Sequence, residues 1–201
     1  MPRGVKLEAG FSPPEGLGHD PKEARRLLAE AGYPEGKNFP AFQYLMNTSR
    51  LNEQIGVELQ EMWKNELGLK MELRQAEWKV YLNDQSHTNY DICRSSWIGD
   101  YKDPNTFLDM FKANNGNNRT GWNNPRYDAL VNQANAQTNP RAREKLLQEA
   151  ETIMVRDELP ILPVFYYVGV SFFDPERIDG IGLNIVDEHP LWAIRVKGPK
   201  R

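Results

Sequence analysis

The sequence holds one cysteine and three histidines in 201 residues, and it has no excess of basic charge. Each scarcity excludes a class of function. A lone thiol, Cys93, permits no disulfide framework, no C-x-x-C pair and no thiolate zinc spacing. Its place in the run Tyr90-Asp91-Ile92-Cys93 reads as a buried, inert side chain. His19, His87 and His189 lie far apart without a partner at metal or general-base spacing, so each reads as a surface or loop histidine. The 25 Lys and Arg are scattered among 28 Asp and Glu for a net charge of -3, which leaves no basic footprint for nucleic acid. No apolar stretch approaches a membrane span. Met1-Pro2-Arg3-Gly4 lacks the apolar core of a signal peptide, so the chain reads either as cytosolic or as a piece of something larger. Glycine-rich phosphate loops and nucleophile elbows are missing as well.

What is present is a legible series of helix starts. Asp20-Pro21, Asp103-Pro104, Asn124-Pro125 and Asn139-Pro140 each put a capping side chain before a proline, which costs no hydrogen bond at the first helical position and presets the backbone. After the first, Glu23 completes a capping-box pattern, Ala24, Leu27, Leu28 and Ala31 make one apolar face, and Gly32 supplies the stop. A second helix is predicted over Leu51 to Leu67, from the spacing of Ile55, Leu59, Met62 and Trp63 and the Gly68 that follows. Phe42 to Met46 reads as a strand before it, and Leu69, Met71 and Leu73 alternate with charged residues as a half-buried strand after it. Strand, helix, strand with so long a crossover implies parallel pairing. The pattern continues with a short helix near Trp78 to Asp84, a strand near Tyr90 to Ser96, and helices near Pro104 to Phe111, Pro125 to Ala136 and Pro140 to Asp157. Ile161 to Val170 reads as a strand buried on both faces, with Pro163 placing its first residues at an edge. Trp192 to Val196 reads as a last strand, and the polar stretch from Asn114 to Gly121 as a loop. The class is α/β.

Catalytic constellations are scarce. Asp100 and Asp103 have the look of an acid/base pair for glycoside hydrolysis, but Asp103 is accounted for as the cap before Pro104. The remaining chemistry gathers in Arg94-Ser95-Ser96-Trp97-Ile98-Gly99-Asp100-Tyr101, at the end of a predicted strand, where open α/β sheets bind ligands. Composition leaves two readings of it open: core aromatics with Asp100 as a turn residue, or a ligand surface.

Trp97 to Pro104, followed by Thr106-Phe107-Leu108, is similar to the W-x-x-D-Y-x-D-P-x-x-F-L signature of the oligopeptide- and dipeptide-binding proteins of ABC importers. Thr120 to Leu130 resembles that family's T-G-Y-x-N-P-x-Y-D-x-L segment, and Ala24 to Tyr33, Glu77-Trp78-Lys79 and Pro160 to Tyr167 are similar to three more blocks in the same order. The resemblance implies the C-terminal lobe of a periplasmic-binding-protein-like (type II) fold, a mixed sheet flanked by helices. Residues 1–20 are then a linker-like segment, 21–180 the ligand-binding lobe, and 181–201 a return segment and strand toward an N-terminal lobe.

On this resemblance the chain binds a peptide for import and is not an enzyme. Its partners are the peptide, the N-terminal lobe of the same protein and ABC permease subunits, with no cofactor and no metal, in a periplasmic or cell-surface location. The backbone of Arg94, Ser95, Ser96 and Trp97 is expected to pair with the ligand, and Asp100 to meet its α-ammonium. Trp78 and Trp97 are expected to line side-chain pockets, beside Tyr101. Arg94 can pair the ligand's carboxylate or an acidic side chain, against a slightly favoured reading as a solvated or internally paired arginine. Asn52 and Gln85 stand where some relatives have a histidine or arginine anchor. Sugars, nickel chelates and haem are alternative ligands within the same family, and a ligand-sensing regulatory lobe is the rival outside transport.

Overall fold

In the computed structural model, residues 11–182 and 188–198 are described. They divide into two compact units: Leu17–Ser96 with Arg119–Gly121, and the remainder, chiefly Trp97–Asn118 and the chain from Trp122 onward.

The first unit is a three-stranded parallel sheet with helices. Helix α1 (Pro21–Glu30) starts as its sequence dictates: the Asp20 side chain accepts the Glu23 N–H at 3.0 Å, and Gly32 leaves the helix at φ 95°. The Glu23 carboxylate does not close a capping box but binds Arg26. Strand β1 (Phe42–Asn47), helix α2 (Arg50–Leu67) and strand β2 (Met71–Ala76) follow, with β1 and β2 parallel from Phe42↔Met71 to Asn47↔Ala76. Helix α3 (Trp78–Ser86) leads to β3 (Ile92–Cys93), which pairs with the other side of β1, so the order is β2-β1-β3.

β1 is therefore central, and its side chains alternate between two covers. Tyr44 and Met46 pack with Met71, Leu59, Trp63 and Leu73, while Leu45 packs with Ala76, Tyr81, Tyr90 and Cys93. Leu45 and Met46 are both 0% exposed, and each contributes about 1.5–3 kcal/mol by burial. α2 comes close because Gly56 has no side chain: a Cβ there would meet the Met46 sulfur at 3.2 Å.

The core of the second unit is helical. Helix α4 (Asn105–Leu108) runs into a single 3₁₀ turn, and α5 (Pro125–Ala136) and α6 (Pro140–Thr152) follow. Asn124 and Asn139 cap the latter two by accepting the Tyr127 and Ala142 N–H groups. Tyr127, Leu130, Val131 and Ala134 recur at helical spacing on α5 and meet Leu147, Ala150 and Met154 in one core with Phe11 and Leu108. α6 ends in one π turn, Ile153–Asp157. α4 starts one residue later than expected, with Pro104 in the cap position, so Asp103 stands just before the cap: it accepts the Asn105 N–H at 2.8 Å and takes a two-pronged pair of bonds from Arg143 of α6, each 2.8 Å.

Three expected strands differ. Pairing in the Tyr90 to Ser96 segment is confined to β3. Ile161 to Val170 forms no strand; Ile161 packs against the core of the second unit and the residues after it are exposed, with Val168 at 80%. Its apolar run encodes a need for cover, and among the described residues no strand lies beside it to supply one. Of Trp192 to Val196 only β5 (Arg195–Val196) is paired, antiparallel to β4 (Ile178–Asp179), and Trp192 stands in a turn at 84% exposure.

Gly36 and Gly68 pass back to back in the first unit, both at φ 71°. A Cβ on Gly36 would lie 2.5 Å from the Leu67 carbonyl oxygen, and one on Gly68 would strike the carbonyl oxygen of Glu35. Gly68→Ala is expected to lower stability by about 2 kcal/mol or more, combining left-handed strain with this collision. Urea unfolding checks it, and an unchanged midpoint would show that the turn rearranges without cost.

Candidate ligand-binding site

The sequence-predicted site residues divide between the units at the Ser96–Trp97 bond. In the first unit the side chains converge on the end of β3. Glu77 caps α3 by accepting the Lys79 N–H at 2.9 Å, which sets Trp78 in the first turn. Trp78 is 52% exposed and lies on the buried Tyr81 ring, 5.5 Å between centroids and 23° from parallel. The Tyr81 hydroxyl donates to the Arg94 carbonyl at 2.6 Å and accepts from the Gln85 amide at 3.0 Å. Gln85 in turn accepts from the Arg119 guanidinium at 2.7 Å. Sheet pairing reaches the same point from the other direction, since the Arg94 N–H donates to the Leu45 carbonyl at 2.8 Å. Beyond it Ser95 and Ser96 are exposed.

Asn52 and Gln85 are buried and engaged internally. The Asn52 amide donates to the Asn47 backbone and side chain, while Gln85 serves Tyr81, Arg119 and, at 3.6 Å, the Cys93 sulfur. Burial raises the Cys93 thiol above its ordinary range, which fits an unreactive side chain.

In the second unit Gly99 is buried, and a Cβ there would meet Thr106 at 3.0 Å and the Phe107 ring at 3.3 Å. This close approach lets the Asp100 N–H donate to the Thr106 hydroxyl at 2.9 Å. The Asp100 side chain points outward, exposed, and its carboxylate has no hydrogen-bond or ion-pair partner among the described residues. Asp103, three positions on, is spent on the α4 N-terminus and Arg143. Trp97 is half-buried, with an enclosed indole N–H that finds no partner among the described residues. Tyr101 is exposed and accepts from the Asn105 amide at 3.3 Å. Among the described residues no three His, Cys, Asp or Glu gather as metal ligands, and His87 bonds the Asn83 carbonyl of its own helix.

Sequence reasoning missed the chain of bonds from Arg119 through Gln85 to Tyr81. Only its middle had a sequence signal: Tyr81 and Gln85 are four apart and share a helix face.

The sequence pattern of the bacterial extracellular solute-binding proteins, family 5 Middle, matches residues 1–119. The oligopeptide-binding protein OppA of Bacillus subtilis (strain 168) is 37% identical over 155 residues, which is 77% of this chain and 28% of that protein. A periplasmic oligopeptide-binding protein of Borrelia burgdorferi, OppAIV, resembles the fold with a TM-score of 0.75 at 31% identity, covering 93% of this chain and 38% of its own. Haemophilus influenzae OppA in complex with RPPGFSPFR gives a TM-score of 0.76 at 29% identity, over 94% and 38%. The chain spans less than two-fifths of the length of each.

Burial also holds the phenols of Tyr44, Tyr81 and Tyr90 protonated above their ordinary value of 10.0, as it holds the Cys93 thiol above 9.0. The folded chain keeps these protons to higher pH than the unfolded chain, so their contribution to stability is whole below about pH 9 and declines as pH rises past it. The urea midpoint is expected to fall steadily between pH 8.5 and 10.5. A flat or rising midpoint over that range would refute this account.

Proposed function

The chain belongs to the bacterial extracellular solute-binding proteins of family 5, and from that premise we propose that it forms part of a peptide receptor serving an ABC importer. A receptor for varied peptides cannot read side chains closely, so it must hold what every peptide has: backbone amides, an α-ammonium and a carboxylate. The observation that carries the reading is Asp100. Its backbone is fixed by Thr106 and by the missing Cβ of Gly99, yet its carboxylate is exposed and unpartnered among the described residues. A turn aspartate kept for structure would use that carboxylate as Asp103 does.

In this reading Asp100 receives the ligand's α-ammonium through a charge-assisted bond. Ser95 and Ser96 offer backbone groups for strand addition, Trp78, Trp97 and Tyr101 face ligand side chains, and Arg94 meets a carboxylate. Large aromatic surfaces suit many side chains because their contacts are broad and weakly directional. The relatives' descriptions as oligopeptide-binding, one of them in complex with a peptide, support peptide as the ligand and binding without a chemical step. A second lobe closing on the peptide, permease subunits as partners and a periplasmic or cell-surface location belong to the same proposal, because the relatives are longer than this chain and act outside the cytoplasm by description.

The test is calorimetry on the intact protein with free and N-acetylated tri-alanine. If Asp100 receives the ammonium in a desolvated cleft, its removal costs about 3–5 kcal/mol, so Asp100→Ala weakens free tri-alanine by roughly two to three and a half orders of magnitude. Acetylation weakens the unaltered protein by a comparable step and adds little to the variant, because both changes delete one interaction. Asp103→Ala serves as the control. It loses a cap and the Arg143 pair, so it lowers stability by about 1–2 kcal/mol and leaves the preference for a free amine intact. Equal affinity of the unaltered protein for the two peptides would end the proposal.

A further inference from the structure

We propose that Tyr81 is a positioning residue for the ligand strand: its hydroxyl, aimed by Gln85 and Arg119, takes hold of the chain where the sheet lets go and fixes Arg94 to Ser96 in the extended form that a peptide pairs with. The inference rests on the peptide-binding reading and adds to it the device that prepares the binding edge.

β3 is two residues long and its register with β1 stops at Leu45↔Cys93. One more ladder bond follows, from the Arg94 N–H to the Leu45 carbonyl. The next backbone acceptor, the Arg94 carbonyl, goes to the Tyr81 hydroxyl at 2.6 Å instead. A phenol proton can take either of two positions in the ring plane unless something accepts or donates from a second direction. Gln85 does so at 3.0 Å, and its own amide is oriented from behind by the Arg119 guanidinium at 2.7 Å. Arg119 is tethered in turn, because its carbonyl accepts from the Tyr90 hydroxyl.

Both polar atoms of the Gln85 amide are thereby engaged, the nitrogen on the Tyr81 hydroxyl and the Cys93 sulfur and the oxygen on Arg119, which fixes the direction of the Tyr81 proton. Trp78 stacks on the Tyr81 ring, so the residue that offers an aromatic surface to a ligand also pins the ring that holds the strand. A bare strand end of two exposed serines would sample many conformations and lose affinity in being ordered; one held from two sides is ordered in advance. Tyr81 acts through Arg94 and touches no ligand itself.

The experiment uses the intact protein and tri-alanine, free, N-acetylated, or N-methylated at one backbone amide at a time. Tyr81→Phe keeps the ring and its stack and removes the hydroxyl. It should weaken free tri-alanine roughly tenfold, the effect of one well-placed hydrogen bond, with the ratio of free to acetylated affinity as in the unaltered protein. N-methylation at the amide that pairs with this edge should weaken the unaltered protein about tenfold and Tyr81→Phe little further. A tyrosine that served stability alone would lower the urea midpoint and leave the N-methyl factors unchanged. Arg119→Gln, at the far end of the chain of bonds, should give the same pattern at about threefold, and it decides the matter if Tyr81→Phe does not fold. The proposal is overturned if both variants bind tri-alanine as the unaltered protein does, or if the losses from Tyr81→Phe and N-methylation multiply at every amide. A protein that shows no preference for the free amine loses the peptide reading and this one together; one that shows it while the variants are unaffected loses only the role of Tyr81.

Discussion

The middle of strand β1, Tyr44 to Met46, has no face of its own to give to water, and the first unit is organised by that constraint. Because successive side chains point to opposite sides of a strand, Tyr44 and Met46 require one apolar cover while Leu45 requires another. The chain meets both requirements by returning twice in parallel, once through α2 to β2 and once through α3 to β3. The same Leu45 that fills the second cover also supplies, from its backbone, the acceptor for the Arg94 N–H. Hydrophobic packing and placement of the candidate ligand edge are therefore joined in one residue.

Much of this architecture is legible in the sequence because it is local. Asp20, Asn124 and Asn139 stand directly before their prolines and bond N–H groups within three residues, so their roles require no knowledge of the rest of the molecule. The alternation in Met71-Glu72-Leu73 and the helical spacing of Leu59 and Trp63 are equally self-contained. Ile161 to Val170 failed for the complementary reason. An apolar run states that something must cover it, and nothing in the run says whether the cover is a neighbouring strand, which the described residues do not provide. Arg119 and Gln85 are 34 positions apart, and no pattern of period two or 3.6 links them.

Within the candidate site the same distinction separates residues that look alike. Asp100 and Asp103 are both acids in one short loop, and sequence assigns the second to a helix N-terminus through Pro104. The pair of bonds from Arg143, forty residues away, is invisible at that level. It makes Asp103 part of the frame of the second unit, whereas Asp100 hangs from that frame by its backbone alone.

That attachment has an evolutionary consequence. Folding at position 100 is secured by an N–H that every amino acid except proline possesses, by a threonine and by a glycine, none of which responds to the identity of the side chain. A lineage can exchange the acid for another polar or apolar group and change the chemistry presented to ligands while the scaffold beneath stays as it was. Position 103 has no such freedom, since any replacement there must first be survived by the fold. On the proposed reading, a loop that separates an inheritable frame from an exchangeable contact by three residues is well suited to divergence in what the receptor binds.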